Sequence, residues 1–420
     1  MSDYLPEALV LQILYRLPPT TLVKCTSVCK AWNKIIRSHD FISSHLLHSL
    51  SNHTLSLLFP HYIFYNFNEL RFRSSGTINT RNDFHTIAKL CYSFHVVNTV
   101  NGVICLSRNR SSHTSYTDLV ILWNPFIRRH IQLPTPYFAF KTLLCSYYQL
   151  PSMFFVGFGF DSKTNDYKVV RICYLKYYEN NDPPLVELYS LNEGASRIIE
   201  TSSIDVRIES RLLSQCFLHG NVHWIAFENH MRELYFQYCV LIFNVEEENF
   251  KKIRLPIELS TLRSHDDLTI SVINGCLSVI HYACDRERAT HTVFNIWMKR
   301  EPELWNKMYK VNYFQTVFDS VSLASSTSDE IFEFPLCGQF VPLGLVEYDR
   351  EEITKLRIQS RAYHLFFNEY TPSLVLFNRE NGPIWCPISK RCAERAHDEE
   401  LEELNLNKDL LRVEFISEKY

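Results

Sequence analysis

Ile121-Leu122-Trp123-Asn124 decides how most of this chain is read, because it is echoed at Glu187-Leu188-Tyr189-Ser190, Leu241-Ile242-Phe243-Asn244, Val293-Phe294-Asn295-Ile296 and Leu345-Val346-Glu347-Tyr348. The successive intervals are 66, 54, 52 and 52 residues. Each echo is a short apolar strand signal with an aromatic residue in it, and self-similarity at a nearly fixed period marks a repeat architecture. Three of the units are preceded by a second strand that a glycine opens. These are Asn101-Gly102-Val103-Ile104-Cys105-Leu106, His219-Gly220-Asn221-Val222-His223-Trp224-Ile225 and Asn274-Gly275-Cys276-Leu277-Ser278-Val279-Ile280. A unit of about fifty residues with four short strands is the size of a β-propeller blade, and closing blades into a ring protects their sheet edges. A two-sheet β-sandwich also uses many short strands, but it has no need of a fixed period. Five units are visible, and residues 53 to 100 are the candidate for another.

Outward from the repeats, Phe154-Phe155-Val156-Gly157-Phe158-Gly159-Phe160 and Tyr167-Lys168-Val169-Val170-Arg171-Ile172 flank Asp161-Ser162-Lys163-Thr164-Asn165-Asp166. Two β-rich runs joined by Asp, Ser, Asn and Asp predict a hairpin with specific turn chemistry. The Gly-x-Gly within it lacks the third glycine and the following helix that a phosphate loop requires, so it is read as strand.

The first fifty residues differ in kind. In Leu5-Pro6-Glu7-Ala8-Leu9-Val10-Leu11-Gln12-Ile13-Leu14-Tyr15-Arg16-Leu17-Pro18, helical spacing puts Leu9, Ile13 and Leu17 on one face and Val10 and Leu14 on another. A helix that is apolar nearly all round demands burial on more than one side, and so short a segment cannot cover it alone. Val28, Trp32, Ile35 and Ile36 predict a second apolar stripe, and Pro18-Pro19 separates the two helices. A further helix is expected from near Asp40, with Phe41, Ile42, Leu46 and Leu47 apolar. The chain therefore divides into a small all-α domain at 1–50, a mainly β domain at 53–378 and a segment at 379–420. In the last, Glu394, Asp398, Glu399, Glu400, Glu402 and Glu403 make an acidic tail, read as a solvated face or disordered end, with a short helix over 398–411 as a further expectation.

The N-terminal residues resemble a known module, the F-box. Its elements stand here as Leu5-Pro6-Glu7, Ile13-Leu14-Tyr15-Arg16-Leu17-Pro18, Leu22, Val28-Cys29-Lys30-Ala31-Trp32 and Phe41. Thr20-Thr21 stands where Lys-Ser is common, and Lys24-Cys25 where Arg-Phe is common. The resemblance implies docking on the Skp adaptor, and through it on cullin. The implied contact residues are Leu5, Pro6, Leu9, Ile13, Leu14, Leu17, Pro18, Leu22, Val28 and Trp32. The β region in turn is similar to the plant F-box-associated domain with kelch-like repeats, the S-locus F-box-like family. The likeness rests on Trp123-Asn124-Pro125 through Arg128-Arg129 to Leu133-Pro134, Gly157-Phe158-Gly159-Phe160-Asp161-Ser162 to Asp166-Tyr167-Lys168-Val169-Val170-Arg171, Ile296-Trp297-Met298 to Leu304-Trp305, and Tyr370-Thr371-Pro372-Ser373-Leu374-Val375. F-box helices followed by a kelch-like β-propeller is then the expected architecture. The expected role is a non-catalytic, substrate-recognition subunit of a ubiquitin ligase, holding a target protein for ubiquitination and proteasomal degradation. A narrower form takes an S-locus ribonuclease as the target, and the residues do not separate it from the others.

Composition bounds the alternatives. Apolar residues make up 46% of the 420, enough for a sizeable core, and a formal net charge of -3 gives no global case for nucleic acid or an anionic membrane. No apolar run reaches the length of a bilayer span and Met1-Ser2-Asp3 begins nothing like a secretory signal, so cytosol or nucleus is expected. Thirteen irregularly spaced cysteines read as reduced thiols. The nearest metal-like spacing, His219 with His223, falls in a strand, and neither metal nor cofactor is expected. No nucleophile elbow, phosphate loop or zinc-binding histidine pair occurs. Two other readings stay open: a ubiquitin-independent propeller that binds a peptide or glycan beside a vestigial F-box, and an enzyme with a polar cluster at the mouth of the ring. Target contacts are expected in the stretches 107–118, 135–152 and 176–184.

Overall fold

The computed structural model describes residues 6–51, 57–63, 67–73, 85–91, 95–112, 115–136, 151–175, 183–201, 204–208, 215–228, 237–260, 262, 267–273, 275–284, 291–300, 304–314, 320–325, 330–336, 341–347, 352–360, 368–379 and 414–415. Four helices come first: α1 (Glu7–Tyr15), α2 (Pro19–Cys25), α3 (Lys30–Ile36) and α4 (His39–Ser51). Pro18 is the extended residue before α2 and Pro19 its first helical residue, where a missing N–H costs nothing. Ser38 opens α4, its Oγ accepting from Phe41 N at 3.2 Å. Val28 does not belong to the second stripe of helix predicted from spacing; α3 begins two residues later, with the Cys29 sulfur accepting from Trp32 N.

Among the described residues the strands then form six antiparallel sheets. Blade 1 holds β1 (Leu57–Ile63), β2 (Phe67–Arg73) and β3 (His85–Cys91); blade 2 holds β4 (His95–Val100), β5 (Val103–Ser112), β6 (Ser115–Asn124) and β7 (Arg129–Gln132). Blade 3 holds β8 (Pro151–Asp161), β9 (Asp166–Leu175), β10 (Leu185–Ser190) and β11 (Ala195–Ile199). Blade 4 holds β12 (Arg207–Ile208), β13 (Gln215–Leu218), β14 (Asn221–Glu228), β15 (Gln237–Asn244) and β16 (Asn249–Arg254), with the short helix α5 (Ile257–Ser260) behind it. Blade 5 holds β17 (Asp267–Ile273), β18 (Cys276–Cys284), β19 (His291–Lys299) and β20 (Trp305–Phe314), and blade 6 holds β21 (Ser320–Ser325), β22 (Glu330–Leu336), β23 (Val341–Glu347) and β24 (Glu352–Ser360).

Near the end of the β region, β25 (Asn368–Glu369) pairs with β1, Leu57 opposite Glu369, so blade 1 is built from both ends of that region. A last strand, β26 (Glu414–Phe415), pairs with β3. The rest of the acidic tail, including the expected helix over 398–411, lies outside the described residues. Blades touch in order around the ring: β25 meets β4, β4 meets β8, β8 meets β13 and β14, these meet β17, β17 meets β21, and β24 returns to β1. This is a closed propeller rather than a sandwich.

The repeats find their physical reason here. Four of the tetrads, and Leu345–Glu347 of the fifth, lie on the third strand along their sheets, β6, β10, β15, β19 and β23. Ile121, Leu122, Trp123 and Asn124 are all buried and do not alternate, as in a strand covered on both faces. In three blades the tetrad ends on the residue that holds the next turn: Asn124 Oδ1 accepts from Phe126 N, Ser190 Oγ from Glu193 N, and Asn244 Oδ1 from Glu246 N and Glu247 N. The glycines that open the second strands sit in two-residue turns, with Asn101 at φ 53 and Gly102 at φ 78, and His219 at φ 47 and Gly220 at φ 73. The expected hairpin is β8 and β9 with Asp161 opposite Asp166, and its turn is pinned by Asp161 Oδ1, which accepts from Lys163 N at 2.9 Å and Thr164 N at 3.2 Å.

Asp161 also anchors a buried ion cluster that joins blades 3 and 4. Lys168 Nζ donates to Asp161 Oδ2 at 2.8 Å, to Glu248 Oε1 at 2.9 Å and to the Val245 carbonyl at 2.9 Å, and Arg197 pairs with Glu248. Burial pushes the Asp161 and Glu248 carboxyls up, but the hydrogen bonds they accept outweigh it and hold both below the usual range. Burial likewise opposes the Lys168 charge, yet Asp161 and Glu248 raise it. A carboxyl depressed in the fold stabilises it above its ordinary value, about pH 4, and loses that contribution as pH falls through the depressed one. The raised lysine stabilises the fold below about pH 10.4 and loses that contribution only as pH rises through its raised value. His223 behaves differently: burial lowers it to about 4, and His45 is also lowered by burial. Both stay neutral in the fold while the unfolded chain takes protons, so stability declines as pH falls below about 6.5. The thermal midpoint should therefore fall in two acid steps. Lys168→Met, which leaves the buried Asp161 carboxylate without its counter-ion, should cost about 3 to 5 kcal/mol near neutrality and flatten the lower step only. Melting curves from pH 8 to 2 check this, and an unchanged lower step in the variant would contradict it.

Candidate functional site

The site is built on α1. Pro6, extended at φ -55 and ψ 140, precedes the helix, and Glu7 in its first turn suits the positive end of the dipole. The face split read from spacing holds for four of its five residues: Val10 and Leu14 point into the core and Leu9 and Ile13, one turn apart, are 45% and 46% exposed, but Leu17 follows the end of α1 and packs against the core. Leu22, Ile36 and Phe41 complete the floor beneath α1, and Tyr15 stacks on Phe41 with ring centroids 4.9 Å apart. His45 on α4 donates from Nε2 to the Leu17 carbonyl at 3.0 Å, fixing the chain where it leaves α1.

The sequence-derived contact residues fall into three groups. Leu9, Ile13, Pro6, Pro18 and Val28 are exposed, Val28 to 64%, on the turn between α2 and α3. Leu17 and Trp32 are half-buried, with one side packed on the core. Leu14 and Leu22 are fully buried, so they support the face from behind, and Leu5 lies outside the described residues. Leu14→Ala should accordingly cost about 2 to 5 kcal/mol of stability, as a cavity in a closed core does, and a chemical-denaturation midpoint checks it.

A second feature gave no sequence signal, because its residues are isolated polar ones. The helices are not a free appendage: their core is continuous with that of blades 2 and 3, through Val97, Val120, Phe158, Tyr167 and others. Arg37 places its guanidinium 4.5 Å from the centre of the Phe377 ring, and Asn378 donates to the Arg37 carbonyl. On blade 3, Asn165 donates to His39 Nε2 at 2.8 Å and to Ser43 Oγ at 3.4 Å. The helices thus sit at the ring end that carries the β8–β9 turn.

Of the stretches expected to contact a target, the described part of 107–118 lies in paired strands, Val103–Ser112 and Ser115–Asn124. Residues 137–150 and 176–182 lie outside the described residues. Among the described residues, no group of three or more metal-ligating side chains occurs and no helix is long and apolar enough to cross a membrane.

Comparison with known proteins gives matches to both regions. A family described as F-box associated beta propeller domain matches residues 64–376, and one described as F-box-like matches residues 2–47. F-box protein At3g07870 of Arabidopsis thaliana is 24% identical over 333 residues, 74% of this chain and 73% of its own. F-box protein CPR1 of the same plant is 26% identical over 335 residues, 73% of each. The putative F-box/kelch-repeat protein At1g12170, also from Arabidopsis thaliana, is 24% identical over 412 residues, 89% of this chain and 99% of its own.

Proposed function

The chain belongs to the F-box proteins that carry an F-box associated beta-propeller domain, and from that membership we propose that it is the target-recognition subunit of a Skp–cullin–F-box ubiquitin ligase. The observation that carries the reading is the two-sidedness of α1: Val10 and Leu14 are buried while Leu9 and Ile13 stand half exposed one turn apart. Covering such a face with an apolar partner surface stabilises the complex by roughly 25 cal/mol per Å² before ordering costs. The partner proposed for it is the Skp adaptor, with Leu9, Ile13, Leu17, Val28 and Trp32 as the contacts and Leu14 and Leu22 as their support.

The target is proposed to bind the end of the ring away from the helices. β5 leaves the Asn101-Gly102 turn and β9 leaves Asp166, both at the helical end, and each runs ten residues. At about 3.3 Å per residue the far ends lie roughly 30 Å away. The chain then contributes proximity: a target lysine held near a charged conjugating enzyme reacts as if the two were tethered, with no reactive group required of the receptor. The test is size-exclusion co-elution of the full chain with purified Skp adaptor and cullin. Co-elution in a 1:1:1 complex is expected, and elution of the chain alone at micromolar concentrations would end the ligase reading.

A further inference from the structure

The segment Tyr370–Arg379 touches both parts of the molecule. Towards the ring, Tyr370 Oη donates to the Gly102 carbonyl at 2.7 Å, Ser373 Oγ to the Asn101 carbonyl at 2.7 Å, and Asn124 Nδ2 to the carbonyls of Ser373 and Val375, each at 2.9 Å. Leu374, Val375, Leu376 and Phe377 are buried beside blade 2, and Leu376 is held at φ 75, a conformation leucine adopts only when its surroundings fix it. Towards the helices, Phe377 lies under Arg37 and Asn378 holds the Arg37 carbonyl. The segment follows directly on β25, the strand that closes the ring.

We infer that this segment is a clamp that sets the angle between the F-box helices and the propeller. A single attachment would leave a pivot. The core shared with blades 2 and 3 joins the parts, and at its rim the Phe377–Arg37 contact and the contacts of Asn165 with His39 and Ser43, on different blades, hold the remaining tilt. Arg37, His39, Asn165 and Phe377 are then positioning residues. The inference rests on the ligase reading for its purpose, since a fixed angle holds a bound target at one place relative to the conjugating enzyme, where a loose joint would spread it over many. It also ties ring closure to helix placement, because the ten residues follow without a break on β25, the strand that pairs with β1.

The test uses the full chain with genetically encoded spin labels at exposed Lys24 and Lys251, so that the native cysteines are left alone. Wild type should give one narrow distance distribution by pulsed electron resonance. Arg37→Glu with Asn165→Ala, both outside the buried core, should at least double its width, and Arg37→Lys, which keeps a cation over Phe377, should restore it. In a reconstituted ligase the double variant should bind the Skp adaptor as wild type does but spread ubiquitin over more of the chain's own lysines. A broad wild-type distribution, or one equally narrow in the double variant, would overturn the clamp. Should the double variant fail to fold, Arg37→Glu alone is scored by the same widths. Failure of adaptor binding in wild type would remove the ligase reading while the distances still judge the clamp.

Discussion

Ile13→Asp is expected to weaken capture of the Skp adaptor by about two to three orders of magnitude, with almost no change in the stability of the chain itself. The magnitude follows from two contributions that act in the same direction. Burying an isoleucine side chain is worth about 1.5 to 3 kcal/mol, and central interface side chains commonly cost 2 kcal/mol or more when truncated. An aspartate adds the penalty of a carboxylate removed from water without a partner. Together these exceed about 3 kcal/mol, and each 1.4 kcal/mol is tenfold in the dissociation constant. Stability is spared because Ile13 is 46% exposed and flanks the buried Val10 and Leu14 side without entering the core. Titration calorimetry with purified adaptor, paired with a thermal melt, measures both quantities. Binding within threefold of wild type would mean that α1 does not present this face to the adaptor. Leu14 cannot serve for the same experiment: its side chain is in the core, and a charge there would unfold the helices and lose binding for the wrong reason.

That contrast shows where the sequence could be read and where it could not. Helical spacing separates Leu9 and Ile13 from Val10 and Leu14, because a period of 3.6 divides an apolar helix into faces. It does not say which face looks inward when both are aliphatic, and only the floor of Leu22, Ile36 and Phe41 decides that. The period near 52 marks the blades because the buried third strands carry mostly apolar runs, each with an aromatic residue, at that spacing. Blade 1 escapes it, since one of its strands comes from residues 368–369, more than three hundred positions away from β1. The attachment of the helices to the ring escapes it too. Arg37, Asn165 and Asn378 are single polar residues in unlike contexts, and nothing in their spacing shows that a fold brings them together.

The Gly-x-Gly of β8 is legible as strand but its purpose is not. Gly157 has an ordinary strand backbone, so the argument is one of space. A Cβ there would stand 2.4 Å from Trp224 Cζ2 and 2.8 Å from Val170 Cγ1. Two residues on, a Cβ at Gly159 would stand 2.7 Å from the Phe217 ring and 2.8 Å from Val245. The side chains of Trp224, Phe217 and Val245 all belong to blade 4, so the two glycines let the aromatic face of that blade lie against the backbone of blade 3. Trp224 is almost wholly buried and packed among Ile172, Val186 and Leu241, and it has nowhere to retreat. Gly157→Ala should on chain entropy alone stabilise the fold by up to about 1 kcal/mol, so any loss measures the clash. We expect a net loss of about 2 to 4 kcal/mol for alanine and a larger one for valine. Trp224→Leu in the alanine background should recover part of it, with a coupling of about 1 to 3 kcal/mol, since the two changes share one contact. Denaturant titration of the four members of that cycle gives the number. A Gly157→Ala chain as stable as wild type would show that blades 3 and 4 can move apart at no cost, and the packing that holds the ring closed would have to lie elsewhere.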